Sequence, residues 1–214
     1  MSTTTPARPD VPALAHETAR ILGTDWHAQP DTDWVSAWAL HHRDGRRVRL
    51  YGPEYGNEGR LYMEGLLPNA PEDERPDRTG LDSGNISVAA SSPARRVAGE
   101  ITRRLLPKLT PACEEYRRRL EELRTAERAR VAAARSLAEL PGLSEPRRNY
   151  HDRRVTAYHL AWDGPRRGEW HGAKPSARID VDADRETAEP HVCMELRGLS
   201  PEQAERVLRA LIEP

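Results

Sequence analysis

Apolar positions recur at helical spacing over 11–22 and 93–106, and alternate with polar ones over 33–42, 46–53, 59–66 and 84–90. Those periods predict a helix, four strands and a second helix in the first half of the chain. The second half predicts the same series: a helix ending near 140, strands over 153–162, 167–172, 177–183 and 191–197, and a helix over 201–212. Consecutive strands joined by short turns form antiparallel meanders, each with its helices on one face. The expected class is therefore α+β, built from two tandem copies of one helix, four-strand, helix unit. Between them, Leu109, Tyr116, Leu120, Leu123, Val131, Ala134 and Leu137 form one apolar stripe on a charged helix over 108–140. Pro107 and Pro111 are expected to break or kink its start. Glu127 and Arg130 interrupt the stripe, which argues against a long coiled coil and leaves room for a short self-association seam.

The case for two copies rests on matched positions in matched order. Trp34-Val35-Ser36-Ala37-Trp38-Ala39-Leu40 parallels Arg154-Val155-Thr156-Ala157-Tyr158-His159-Leu160, 120 residues on. Both runs reach an Asp-Gly turn, Asp44-Gly45 and Asp163-Gly164, followed by paired arginines, Arg46-Arg47 and Arg166-Arg167. Asp-Gly between extended runs is a hairpin signal, because type I′ turns need positive φ. Farther on, Arg60-Leu61-Tyr62-Met63-Glu64 parallels Arg178-Ile179-Asp180-Val181-Asp182, and Ser92-Pro93 and Ser200-Pro201 each open a helix. The resulting division is a tail over 1–10, a first unit over 11–107, the linker helix over 108–140, whose end serves as the first helix of the second unit, and that unit's strands and last helix over 141–214. The loop 67–83, with Asn69-Ala70-Pro71-Glu72-Asp73-Glu74-Arg75-Pro76, reads as polar and mobile.

Composition narrows the function classes. A charged content of 31 %, no Phe and a net charge of −1 describe a lean-cored chain that is not a general polyanion binder, since phosphate affinity scales with cationic charge. Cys113 and Cys193 lack a C-x-x-C spacing, so neither a disulfide scaffold nor a zinc site is indicated and a reducing cytoplasm is the expected compartment. The start MSTTTPARPDVP lacks the layout of a signal peptide, and no run approaches the roughly 20 apolar residues of a membrane span. Neither secretion nor membrane insertion is expected.

Two regions could carry function. In each first strand the side chains alternate, and the small residues Val35, Ala37 and Ala39 suit close approach of helices. That would leave Trp34 and Trp38, and in the second unit Tyr158 and Trp162, on the uncovered face, where such aromatics want burial against each other or a partner. The second region is 147–178, where Arg147, Arg148, Arg153, Arg154, Arg166, Arg167, Lys174 and Arg178 are interleaved with Tyr150, Tyr158, Trp162 and Trp170. Cations beside rings are what single-stranded nucleic acid needs, guanidinium groups taking phosphates while rings stack on bases.

Positive signs of catalysis or metal binding are missing from the pattern. His41 and His42 are adjacent on a strand and point to opposite faces. Asp180, Asp182 and Asp184 resemble the start of a calcium loop, but Arg185 stands where the loop needs Gly and His191 where it needs Glu. Gly52, Gly56 and Gly59 lie between strands with no helix to hold an anion, and no Gly-x-Ser-x-Gly occurs. No cofactor and no metal are expected.

The runs WVSAWALHHRDGRRVRL and NISVAASSPARRVAGEITRRLLP loosely resemble uncharacterised small α+β proteins of high-GC actinobacteria and their phages or mobile elements. The resemblance covers the first unit and the start of the linker helix, implies no activity, and suggests an accessory protein of a mobile element. The expected function is a non-enzymatic macromolecule-binding or regulatory one through a pseudo-symmetric sheet surface, with a protein as partner. Nucleic-acid binding through 147–178 and an enzyme with a site between the units near His159, His171 and Trp170 are the alternatives.

Overall fold

Asp10 starts the first helix: its carboxylate accepts the Ala13 backbone N–H at 3.1 Å, and α1 runs Val11–Leu22. The computed structural model describes residues 10–52, 59–149, 157–163, 175–183 and 189–212. The chain folds as two units, 1–120 and 121–214, which divide inside a long helix. Each unit is α+β with one antiparallel sheet, as the patterning predicts.

The first sheet is a five-strand meander in chain order: β1 (Trp26–Pro30), β2 (Ala37–His42), β3 (Arg47–Tyr51), β4 (Arg60–Leu66) and β5 (Asn85–Ala89). Four strands were expected; β1 is the addition, and the expected strand over 33–42 begins only at Ala37. Its first residues form a turn instead, because Asp31 accepts the Asp33 N–H at 2.8 Å and the Trp34 carbonyl accepts the Ala37 N–H at 3.0 Å. The Asp44-Gly45 hairpin forms as predicted, with Gly45 at φ 88°.

Leu40, Val48, Leu50, Leu61 and Met63 point to one face and are fully buried against Ala15 of α1 and Val97, Ile101, Leu105, Leu109 and Cys113 of the later helices. The helices therefore cover the Leu40 face, the reverse of the expected arrangement. Burying a large aliphatic side chain is worth roughly 1.5–3 kcal/mol, several times what a buried alanine offers, so leucine decides which face packs inward. Trp38 follows Leu40 inward and meets the His16 ring of α1 at 4.9 Å.

After β5 the chain is helical from Ala94 to Ala138: α2 (Ala94–Glu100), a π-helical turn (Ile101–Leu105) and α3 (Leu106–Ala138). Pro107 and Pro111 do not break it. The wide turn falls just before Pro107, with the Leu106 N–H reaching back to the Ile101 carbonyl, and it absorbs the misfit that a proline brings. Ser92 does not cap α2; its hydroxyl is buried without a hydrogen-bond partner. The loop 67–83, expected to be mobile, packs on α3 through Leu67, Ala70 and Leu81 against Tyr116 and Leu120, and Arg119 donates to the Asp77 and Thr79 carbonyls.

The second sheet has the order β6 (Arg147–Asn149), β7 (Ala157–Asp163), β8 (Ser176–Ala183) and β9 (Pro190–Arg197), followed by α4 (Pro201–Ile212). β6 was not expected, and the strand expected over 167–172 lies outside the described residues. β7 pairs directly with β8, so the position β3 holds between β2 and β4 has no counterpart there. Its core packs Leu160, Ile179 and Val181 on Ala134, Leu137 and Ala138 of α3. Ser200 and Gln203 cap α4 reciprocally, each side chain accepting the other's backbone N–H, at 3.3 and 2.9 Å.

Candidate functional site

The face of the first sheet opposite its helices carries a row of aromatic rings. Val48 and Leu50 point inward, so alternation sends Arg47, Arg49 and Tyr51 outward; Leu61 and Met63 do the same for Tyr62 and Glu64 on β4. The register sets Tyr51 opposite Tyr62, and their rings stack at 5.3 Å and 11°. Trp34 reaches the row from the turn before β2 and stacks on Tyr51 at 4.9 Å and 23°. All three rings are half-buried, and Val35 beside them is fully exposed.

Arg49 fixes this row from below. Its Nε donates to Asp31 at 2.8 Å, its guanidinium lies 5.3 Å from the Trp34 ring, and Glu64 and Asp33 are at 3.4 and 3.8 Å. Burial would raise the Asp31 carboxyl, but the hydrogen bond and charge of Arg49 and the N–H groups of Asp33 and Trp34 hold it below the usual range. Burial likewise opposes the charge on Arg49, and Asp31, Glu64 and Asp33 more than restore it. The Arg49 guanidinium beside the Trp34 ring is thus neutralised by carboxylates. Ala37 and Ala39 share this face and are buried at 1 % and 2 % exposure, opposite Tyr51 and Arg49 in the register.

Histidines flank the row. His27 and His41 stack at 5.3 Å, and the Gln29 amide nitrogen is 2.9 Å from His41 Nε2. Burial and the nearby Arg47 charge lower the His41 pKa, disfavouring the charged ring. His42 points to the other face, with its ring 4.9 Å from Trp26. Arg46 and Arg47, the arginines after the turn, hold structure together: Arg46 donates to Asp44 and to Thr110 of α3, and Arg47 to the Leu67 carbonyl and to Asn69.

In the second unit the predicted aromatics face the core side. Tyr158 packs beside Leu160 and donates its hydroxyl to Glu127 at 2.8 Å, and burial together with that carboxylate raises its pKa. Trp162 floors an apolar groove of about 480 Å³ lined by Leu140, Leu143, Ile179, Leu196 and Val207. The expectation that Tyr158 and Trp162 would stand on the uncovered face is thereby reversed, for the same reason as in the first sheet. His159 points to the opposite face and lies 3.2 Å from Asp180, which also accepts from Arg178. Of the basic stretch, Arg147, Arg148 and Arg178 are described; Arg153, Arg154, Arg166, Arg167 and Trp170 lie outside the described residues, as does His171.

Trp34 was singled out by sequence, but Tyr51, Tyr62 and Arg49 were not. The polar alternation Arg47-x-Arg49-x-Tyr51 already marked a wet face; what it lacked was the register bringing Tyr51 beside Tyr62. Among the described residues no cluster of His, Cys, Asp or Glu is placed to hold a metal ion, and no helix is long and apolar enough to cross a membrane. No family model, curated protein or solved structure matches the chain.

Proposed function

We propose that the chain is a non-enzymatic protein-binding or regulatory component that engages its partner through the Trp34, Tyr51 and Tyr62 face of the first sheet. The observation that carries this reading is the ladder with its neutralised cation. Rings stacked on one another turn their edges outward, whereas base recognition needs open ring faces, and a guanidinium bound by carboxylates has little left for phosphate. Tyr, Trp and Arg are instead the residues that dominate protein interfaces, offering large rigid area with polar edges at low entropic cost. Val35 adds an apolar point at the rim.

The repeat enters the proposal as a duplication followed by divergence: on the corresponding face of the second sheet His159, Asp180 and Arg178 stand in place of rings. An accessory role in a mobile element accords with such a binding part. The test is affinity purification of the tagged protein from its host with and without nuclease, alongside the Val35→Glu/Tyr62→Lys variant. A protein recovered regardless of nuclease and lost with the variant is expected. Nuclease-sensitive recovery of nucleic acid would overturn the reading in favour of the basic stretch over 147–178.

A further inference from the structure

The second sheet ends on an edge strand of unusual length for this chain. β9 spans eight residues against five in β1 and β5 and three in β6, the other edge strands, and among the described residues its only strand partner is β8. Seven of its eight side chains are exposed. Its register opposite Ala177, Ile179 and Val181 sets Leu196, Met194 and Val192 on the core side of the sheet, yet Met194 is 56 % and Val192 44 % exposed, whereas Val181 opposite is fully buried. A long edge that faces no other strand among the described residues and carries an apolar side is a template for another strand.

From this edge we infer that two copies of the chain associate by antiparallel pairing of β9 with β9, joining two four-strand sheets into one of eight strands. Among the registers that pair at least five residues of the strand, one is good. A two-fold axis perpendicular to the sheet keeps every residue on its own face, so the axis must pass through a residue pair rather than between pairs. Centred on Cys193, it sets Val192 opposite Met194 of the second copy on the apolar side. On the polar side His191 meets Glu195 and Glu189 meets Arg197. Centring on Val192 or Glu195 would oppose glutamates, and centring on Met194 would oppose His191 to Arg197 and Cys193 to Glu195. Apolar pairing and charge complementarity therefore select the same register, and they select a second copy as the occupant. The Glu195–Arg197 ion pair within the strand, at 2.7 Å, is exposed and exchanges its partner at little cost.

The register puts the two Cys193 residues opposite each other, with Cα atoms about 4.5–5.5 Å apart, a separation a disulfide can span. Cys193 is exposed and Cys113 buried, so Cys193 supplies the reporter. The experiment measures the molar mass of the full chain by light scattering across a concentration series under reducing conditions, then treats it with diamide, which takes up the two electrons and two protons released as the thiols join. Expected are a dimer, a Cys193 disulfide absent from Cys193→Ser, and dimerisation weakened at least tenfold by Met194→Lys and several-fold by Glu195→Lys. The exchange His191→Glu/Glu195→Lys should restore the latter. A monomer throughout, a dimer indifferent to Met194→Lys and Glu195→Lys, or a dimer that forms no Cys193 disulfide would each overturn the inference.

Discussion

Arg49 and Asp31, 18 residues apart in the chain, are joined by a 2.8 Å hydrogen bond, and that bond ties the turn carrying Trp34 to the centre of the first sheet. Their side chains are only 13 % and 4 % exposed, so removing one partner strands a buried charge. Arg49→Met should lower the unfolding free energy by about 3 kcal/mol in urea titrations, and adding Asp31→Asn should recover much of the loss. Single and double variants each costing under about 1 kcal/mol would mark the pair as a solvated one.

Gly65 and Gly99 should respond to alanine with opposite signs. A Cβ at Gly65 would lie 2.0 Å from the Ser83 carbonyl oxygen, a backbone atom that cannot swing aside, whereas nothing lies within 4 Å of one at Gly99 on α2. Gly65→Ala is expected to destabilise the first unit by about 3 kcal/mol through overpacking. Gly99→Ala should stabilise it by up to about 1 kcal/mol through helix propensity. Thermal unfolding of the two variants checks both.

Acid should weaken the first unit in two stages. His41 is held below its ordinary value of 6.5, so the unfolded chain takes its proton more readily and stability falls as pH drops through that value. Asp44 lies at the β2–β3 turn; burial would raise its carboxyl, but the Arg46 N–H, His42 and the Arg46 guanidinium hold it at about 2 against an ordinary 3.8. Its contribution is therefore full above about pH 4 and is lost as pH falls toward 2. The carboxylate is 42 % exposed, so solvent screening limits that contribution to less than about 1 kcal/mol. Asp44→Asn should shrink the lower stage, to which Asp31 also contributes, and leave the upper one unchanged in urea titrations at stepped pH.

Much of the fold was legible because period-two alternation and turn chemistry are local. The Asp44-Gly45 hairpin, α1, and the spans of β3, β4, β5 and α4 all follow from residues close in the chain. Three features depended on something else. β1 ends in proline and is poor in β-branched residues, so the pattern predicts no strand there. The helix through Pro107 survives because a π turn next to it supplies slack that no propensity scale encodes. The small residues Ala37 and Ala39 favour one inward face, but Leu40 and Trp38 carry far more apolar area and decide it. The site was half legible for a related reason: alternation made Tyr51 and Tyr62 outward, but only strand register makes them neighbours of each other and of Trp34.

The claim that the first sheet's outer face binds a protein is tested most directly by hydroxyl-radical footprinting of the chain alone and in complex with the partner that purification recovers. Trp34, Val35, Tyr51 and Tyr62 are expected to lose reactivity in the complex while Trp162 and Met194 keep theirs. Protection confined to the second unit, with the ladder as reactive in the complex as without it, would rule out a binding role for this face.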